Sequence, residues 1–238
     1  MTTHDRKRIL LLSSSTVFGG GPFDYAEHEI KDFLKGIGEV LFVPFAIADC
    51  ARYFERTRDR FGKMGVGVDS LHAASDKSKA VAAAQAIFVG GGNTFRLLKT
   101  LYDLDLLEPI RERVRAGTPY MGSSAGSNIA GPTIKTTNDM PIVQPPSFEA
   151  LGLVPFQINP HYLDADPGSK HMGETRAERI TQFLEENDTP VVGLREGGIL
   201  RIDQGRTRLA GVAGARIFQR GMEPLELVPG DFLDLVSL

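Results

Sequence analysis

The chain of 238 residues is 42% hydrophobic and 24% charged, with a formal net charge of −3, which fits one soluble globular domain built on a single large core. Charges of both signs are interspersed, so no basic face or tail points to nucleic acid or an anionic membrane, and no apolar run approaches the roughly 18 residues of a membrane span. The lone Cys50 excludes an internal disulfide and fits a reducing compartment. The polar start Met1 to Arg8 and the short run behind it show no secretory signal, so the cytoplasm is the expected compartment.

In chain order, the short runs Ile9 to Leu12, Val40 to Val43 and Ile87 to Val89 have no polar alternation and read as strands buried on both faces of a parallel sheet. Between the first two, Pro22 opens a predicted helix carrying Phe23, Ala26, Ile30 and Phe33, which Gly36 closes. Ala51 to Met64 reads as a second helix. After Gly90-Gly91-Gly92, Asn93 caps a helix whose inner face holds Phe95, Leu97, Leu98 and Leu101. Another helix runs from Leu107 to Ala116, ended by Gly117, and Pro119 leads into a strand at Tyr120-Met121. This alternation implies right-handed crossovers and a doubly wound, mostly parallel α/β sheet sandwiched by helices. Further on, Thr175 to Glu186 reads as a helix. Val191 to Leu194, Gly198 to Ile202, Arg208 to Val212, Arg216 to Phe218 and Leu225 to Val228 read as short strands added antiparallel at the sheet edge. Residues 1 to 238 carry no repeat, low-complexity tract or linker and are expected to form one domain.

Chemistry concentrates at Gly122-Ser123-Ser124-Ala125-Gly126, which follows a strand and precedes a helical stretch. That is the layout of a nucleophile elbow, whose glycines permit a strained turn and close approach of neighbouring chains. The competing reading is a Gly- and Ser-rich loop. A serine hydroxyl needs a base to activate it and an acid to orient that base. His4, His28 and His72 read as surface or packing residues, and His171 lies in the polar segment Gly168 to Met172, a candidate lid. His161 instead follows the apolar run Phe156 to Pro160 at an expected strand tip, where open α/β sheets gather catalytic groups. It is the candidate base, against the plainer reading of a buried histidine. Glu196, past a short strand and flanked by glycines, and Asp139, in a polar loop beyond the elbow, compete for the orienting acid. Spacing leaves both open.

The elbow offers the Ala125 N–H as one oxyanion donor, and Gly92 is the candidate for the second. The triple glycine could instead cradle a phosphate, but it lacks the Gly-x-Gly-x-x-Gly spacing and a Walker lysine. Scattered histidines and a single cysteine give no metal-ligand pattern. No metal and no cofactor are expected.

Taken together, these blocks resemble the peptidase E (dipeptidase E) family of serine peptidases, which shares the class I glutamine amidotransferase-like architecture. The likeness is nearly full length. It rests on Leu12 to Ser15, Val43 to Phe45, Val89 to Phe95, the elbow, Pro132 to Val143, Ile158 to His161 and Gly173 to Arg176. It implies Ser124 as nucleophile, His161 as base and Gly92 at the oxyanion site, with Glu196 preferred as the third member and Asp139 then arranging the substrate pocket. The implied activity is hydrolysis of Asp-X dipeptides through an acyl-enzyme. Asp139 would meet the substrate ammonium, and Lys135 or Arg176 the side-chain carboxylate. A small peptide is the expected partner, and the chain is expected as a monomer or homodimer. Cyanophycinase-like or β-aspartyl peptidase activity, or a noncatalytic small-molecule binder on the same scaffold, are the alternatives. One departure is Ser123, where the family commonly has tryptophan.

Overall fold

The computed structural model describes residues 7–168, 170 and 172–233; His4 and His171 lie outside them, as does Ser169 of the expected lid. The apolar runs form strands β1 (Ile9–Leu12), β2 (Glu39–Val43), β4 (Ile87–Val89) and β5 (Tyr120–Ser123), and β3 (Gly67–Ser70) joins them at one edge. β1 pairs parallel with β5, β5 with β4, β4 with β2 and β2 with β3. Because side chains alternate along a strand, Ile9 and Leu11 enter one buried cluster while Leu10 and Leu12 enter another. The first cluster lies under helices α3 (Lys77–Ala83), α4 (Thr94–Asp103) and α5 (Leu107–Arg115). The second lies under α1 (Glu27–Phe33) and α2 (Cys50–Lys63), with Phe61 stacked on Phe88 at 5.3 Å between ring centres.

The first helix starts later than its apolar spacing predicts. Phe23 adopts φ 60° and donates its N–H to the Ser15 carbonyl, so the chain turns there and α1 begins only after a short 3-10 turn at Asp24–Ala26. β3 and α3 have no counterpart among the predicted elements. β3 is half polar with alternating burial, as befits an edge strand, and carries no apolar run.

The C-terminal strands divide between two sheets. β8 (Gly198–Asp203) and β9 (Arg206–Gly211) extend the main sheet antiparallel beyond β1, as expected, and β12 (Phe232–Leu233), which has no counterpart among the predicted strands, pairs antiparallel with β9. β7 (Val191–Arg195), β10 (Ala215–Phe218) and β11 (Leu225–Leu227) do not; they join β6 (Gln157–Tyr162) in a separate four-stranded sheet. The reason is that β6 is itself a buried strand and pairs parallel with β7, which removes β7 from the main sheet. Leu194, Ile217 and Leu227 of this second sheet enter the same cluster as Ile9 and Leu11. α7 (Arg176–Glu186), started by a capping box between Thr175 and Glu178, covers the opposite face through Ile180 and Leu184. Among the described residues no helix is long and apolar enough to cross a membrane.

Two glycines admit the crossing between β5 and its neighbours. A Cβ on Gly126 would lie 2.1 Å from the Val89 carbonyl oxygen, and one on Gly122 would lie 2.4 Å from the Gly126 carbonyl oxygen. Both obstacles are backbone. Gly126→Ala is therefore expected to lower stability by about 3 kcal/mol through overpacking, read as a reduced midpoint in urea unfolding.

Candidate active site

Parallel strands deliver their C-terminal ends to one edge of the sheet, and the candidate residues collect there. β5 ends at Ser123; Ser124 takes φ 52° and ψ −110°, and the short helix α6 (Ala125–Asn128) begins at once. The Ser124 N–H donates to the Leu12 carbonyl at 3.0 Å, and the Ser127 hydroxyl donates to the same oxygen at 2.7 Å, so the turn is fastened to the end of β1. A strained serine in a strand-to-helix turn is the geometry expected of an elbow.

His161 approaches from the second sheet. The β6–β7 register shifts between Pro160 and Tyr162, and at this bulge His161 adopts φ 53°. Its Nε2 lies 2.9 Å from the Ser124 Oγ and its Nδ1 lies 2.7 Å from the Glu196 Oε1. An ionised carboxylate only accepts, so Nδ1 carries the proton and Nε2 is left to accept from the serine hydroxyl. The Glu196 side chain is 54% exposed and that of His161 41%, so the pair is well screened by water until something fills the space above it.

Asp139 is placed elsewhere. Its Oδ2 accepts from the Thr94 N–H at 2.7 Å and the Thr94 hydroxyl at 2.6 Å, at the start of α4, and Oδ1 has no partner among the described residues. Of the two competing acids, then, only Glu196 is bonded to the imidazole. The loop carrying Asp139 is tied to β6: Asn138 donates to the Pro160 carbonyl and Asn159 to the Thr136 carbonyl and the Asn138 side-chain oxygen.

The glycine turn after β4 lies against Ser124. A Cβ on Gly91 would be 3.0 Å from that of Ser124. The Gly91 N–H is occupied, donating to the Tyr53 hydroxyl at 2.9 Å. The Gly92 and Ala125 N–H groups have no partner among the described residues. Gly92 has φ 135°, and a Cβ there would meet the Ala46 carbonyl oxygen at 2.6 Å, so this position requires glycine.

Ser124, His161, Gly92 and Asp139 line one cavity of about 890 Å³, walled on one side by α2 through Tyr53 and Arg56. Arg52 lines it too, and among the described residues neither Arg52 nor Arg56 makes an ion pair. Sequence reasoning missed this wall. Its signal is the recurrence of Arg52, Tyr53, Arg56 and Thr57 along one helix face. Ser123 also lines the cavity and is nearly fully buried. Lys135 is exposed and does not line the cavity. Arg176 lines a separate cavity of about 390 Å³ that begins two residues beyond His161, at Leu163, and contains Asp164, Asp166 and Glu174.

Next to Glu196, Arg195 binds Asp164 through Nε and Nη2, at 2.7 and 3.0 Å, and also grips the Glu226 carboxylate. The guanidinium holds both carboxyls below their ordinary range. Groups that ionise at lower pH when folded stabilise the fold above the ordinary carboxylate range of about 4, and that contribution is lost as pH falls through the folded values. Below about pH 4, the urea midpoint of the unaltered protein should therefore fall more steeply than that of an Asp164→Asn, Glu226→Gln double variant.

Comparison with known proteins places this geometry in context. Residues 9–210 match the model of Peptidase family S51. The chain is 53% identical over 225 residues to a protein named peptidase E from Streptomyces coelicolor, covering 94% of this chain and 93% of that one. It is 49% identical to a probable alpha-aspartyl dipeptidase of Drosophila melanogaster, covering 94% of each. Among solved structures it resembles a peptidase from an acI-B1 Actinobacterium, with a TM-score of 0.72, 19% identity and 98% of each chain covered. A putative peptidase E protein from Listeria monocytogenes aligns with a TM-score of 0.62 and 23% identity, over 92% of this chain and 97% of that one. At such identities these two structures speak for the fold.

Proposed function

Because the chain belongs to Peptidase family S51 and is an enzyme of that peptidase family, we propose that it is a serine dipeptidase that cleaves Asp-X dipeptides with Ser124 as nucleophile, His161 as base and Glu196 as the orienting acid. The observation that carries the assignment is the unbroken chain of contacts from the Ser124 hydroxyl through the imidazole to Glu196. Nε2 accepts the hydroxyl proton as Oγ attacks the scissile carbonyl, and Glu196 stabilises the imidazolium that results. The tetrahedral oxyanion is met by the Gly92 and Ala125 N–H groups, neither of which has a partner among the described residues. Collapse expels the amine of residue X, which takes the proton back from Nε2 and leaves an aspartyl ester on Ser124. Water, activated by the same imidazole, then releases aspartate.

An Asp-X dipeptide carries one ammonium and two carboxylates. Asp139, which lines the cavity and whose Oδ1 has no partner among the described residues, meets the ammonium. Arg52 and Arg56 are the cavity guanidiniums free of ion pairs among the described residues and available for the carboxylates, whereas Arg176 lines a separate cavity and the exposed Lys135 lines neither. The whole chain is read as one domain, since the two sheets share a buried cluster. The lone cysteine suits a cytoplasmic protein, and the chain is read as a monomer or homodimer.

Ser124→Ala is expected to lose roughly 10⁴-fold or more in kcat while staying folded. Glu196→Gln should lower kcat by about 10² or more with little change in KM, and Asp139→Asn should mainly raise KM. Steady-state kinetics on Asp-Leu distinguish these patterns, and a kcat defect confined to Asp139→Asn would exchange the two acids. Substrate class is tested separately. Asp-Leu should be turned over faster than a β-linked aspartyl-arginine dipeptide, and the reverse preference would favour the β-aspartyl alternative.

A further inference from the structure

Ser13 follows β1 and is fully buried, beneath the point where the two sheets meet. Its hydroxyl does two things. It accepts the backbone N–H of His161 at 2.8 Å and donates to the Leu194 carbonyl at 2.7 Å. A β-bulge leaves its extra residue without a regular ladder partner, and here that residue is His161, on the β6 side of the register shift, while Leu194 stands opposite Pro160 on β7. In the register set by the Gln157 N–H bond to the Pro190 carbonyl, the regular donor to the Leu194 carbonyl would be the His161 N–H. The Ser13 hydroxyl thus satisfies a donor on one strand and an acceptor on the other at the place where the ladder is interrupted.

The same few residues reach the other side of the site. The Ser13 N–H donates to the Gly198 carbonyl, and the preceding carbonyl, that of Leu12, receives the Ser124 N–H. Leu194 lies two residues before Glu196. One turn of chain at the end of β1 therefore touches the supports of Ser124, His161 and Glu196. A non-glycine residue at positive φ is a strained conformation that persists only where its surroundings over-determine it. Asn138, bonded to the Pro160 carbonyl, is one such restraint on His161, and Ser13 is the restraint on its own N–H.

We propose that Ser13 is a positioning residue for the reaction: its hydroxyl holds His161 in the bulged, positive-φ conformation that lets one imidazole reach Ser124 and Glu196 together. Ser13 touches neither substrate nor reacting atoms. The inference rests on the reading of His161 as base and adds the requirement that its backbone be held from β1.

The test is Ser13→Ala beside Ser13→Thr, with Asp-Leu kinetics, circular dichroism and the rate of labelling by a fluorophosphonate. A base displaced by about 1 Å costs on the order of 10²-fold. Folded Ser13→Ala should accordingly lose about 10- to 100-fold in kcat and in labelling rate, with KM within about twofold, and Ser13→Thr, which keeps the hydroxyl, should recover most of the loss. A folded Ser13→Ala with kcat within about twofold of the unaltered protein overturns the proposal, as does an equal loss in both variants. If Ser13→Ala does not fold, Ser13→Cys tests the same claim, since a thiol is a weak donor and acceptor of similar size: a folded Ser13→Cys with unchanged kcat refutes it, and one with the selective kcat loss supports it. Failure of both to fold also refutes it, because the hydroxyl would then be a requirement of the whole fold. Absence of labelling in the unaltered protein would instead defeat the serine-peptidase reading itself.

Discussion

The site depends on how closely the backbone of the elbow is pressed against the end of β4. At Gly126 the two main chains approach until no side-chain carbon fits between them. That approach brings the Gly90 to Gly92 turn beside Ser124, and the Gly92 and Ala125 N–H groups have no partner among the described residues. A looser crossing would still leave a serine at a strand tip. It would not hold the two proposed oxyanion donors, the Gly92 and Ala125 amides, beside that serine, and fixed dipoles are worth more than ones that must turn during the reaction. The glycines are thus a steric condition for electrostatics.

The second constraint is that the proposed catalytic residues are divided between sheets. Ser124 and the amides belong to the parallel sheet, while His161 and Glu196 come from the ends of β6 and β7. Apolar contact holds the sheets together, since Leu194, Ile217 and Leu227 share a core with Ile9 and Leu11, and each such side chain removed from water contributes about 1.5–3 kcal/mol. Hydrophobic contact is not directional. The angular precision comes from polar ties: Asn128 to the Ile158 carbonyl, Asn138 to the Pro160 carbonyl, Ser13 to His161. Each is a side-chain bond to backbone, and each places β6 relative to the sheet that carries the serine.

Much of this was legible in the amino-acid order. The buried parallel strands announced themselves as unbroken apolar runs, and Asn93 and Gly117 marked helix ends because capping is local chemistry. Ser124, His161 and Gly92, which the fold brings to one cavity, were legible as candidates because elbows, strand tips and glycine turns leave local signatures. The choice between Glu196 and Asp139 was not, since both sit in polar turns and only the three-dimensional path of β7 brings one of them to the imidazole. The separate sheet was equally hidden: a strand of three to five apolar residues reads the same whichever neighbour it pairs with. The α2 wall was missed because exposed arginines on an amphipathic helix look like any solvated face.

The bulge at His161 has a consequence for how the protein would age or warm. Secondary structure can remain intact while one layer slides a fraction of an ångström over the other, for the ladders within each sheet are unaffected by such a slip. The hydroxyl and the imidazole ride on different layers, so their separation registers that slip directly. Turnover in such a molecule is a gauge of interlayer alignment, and it would fade with heating before any spectroscopic sign of melting.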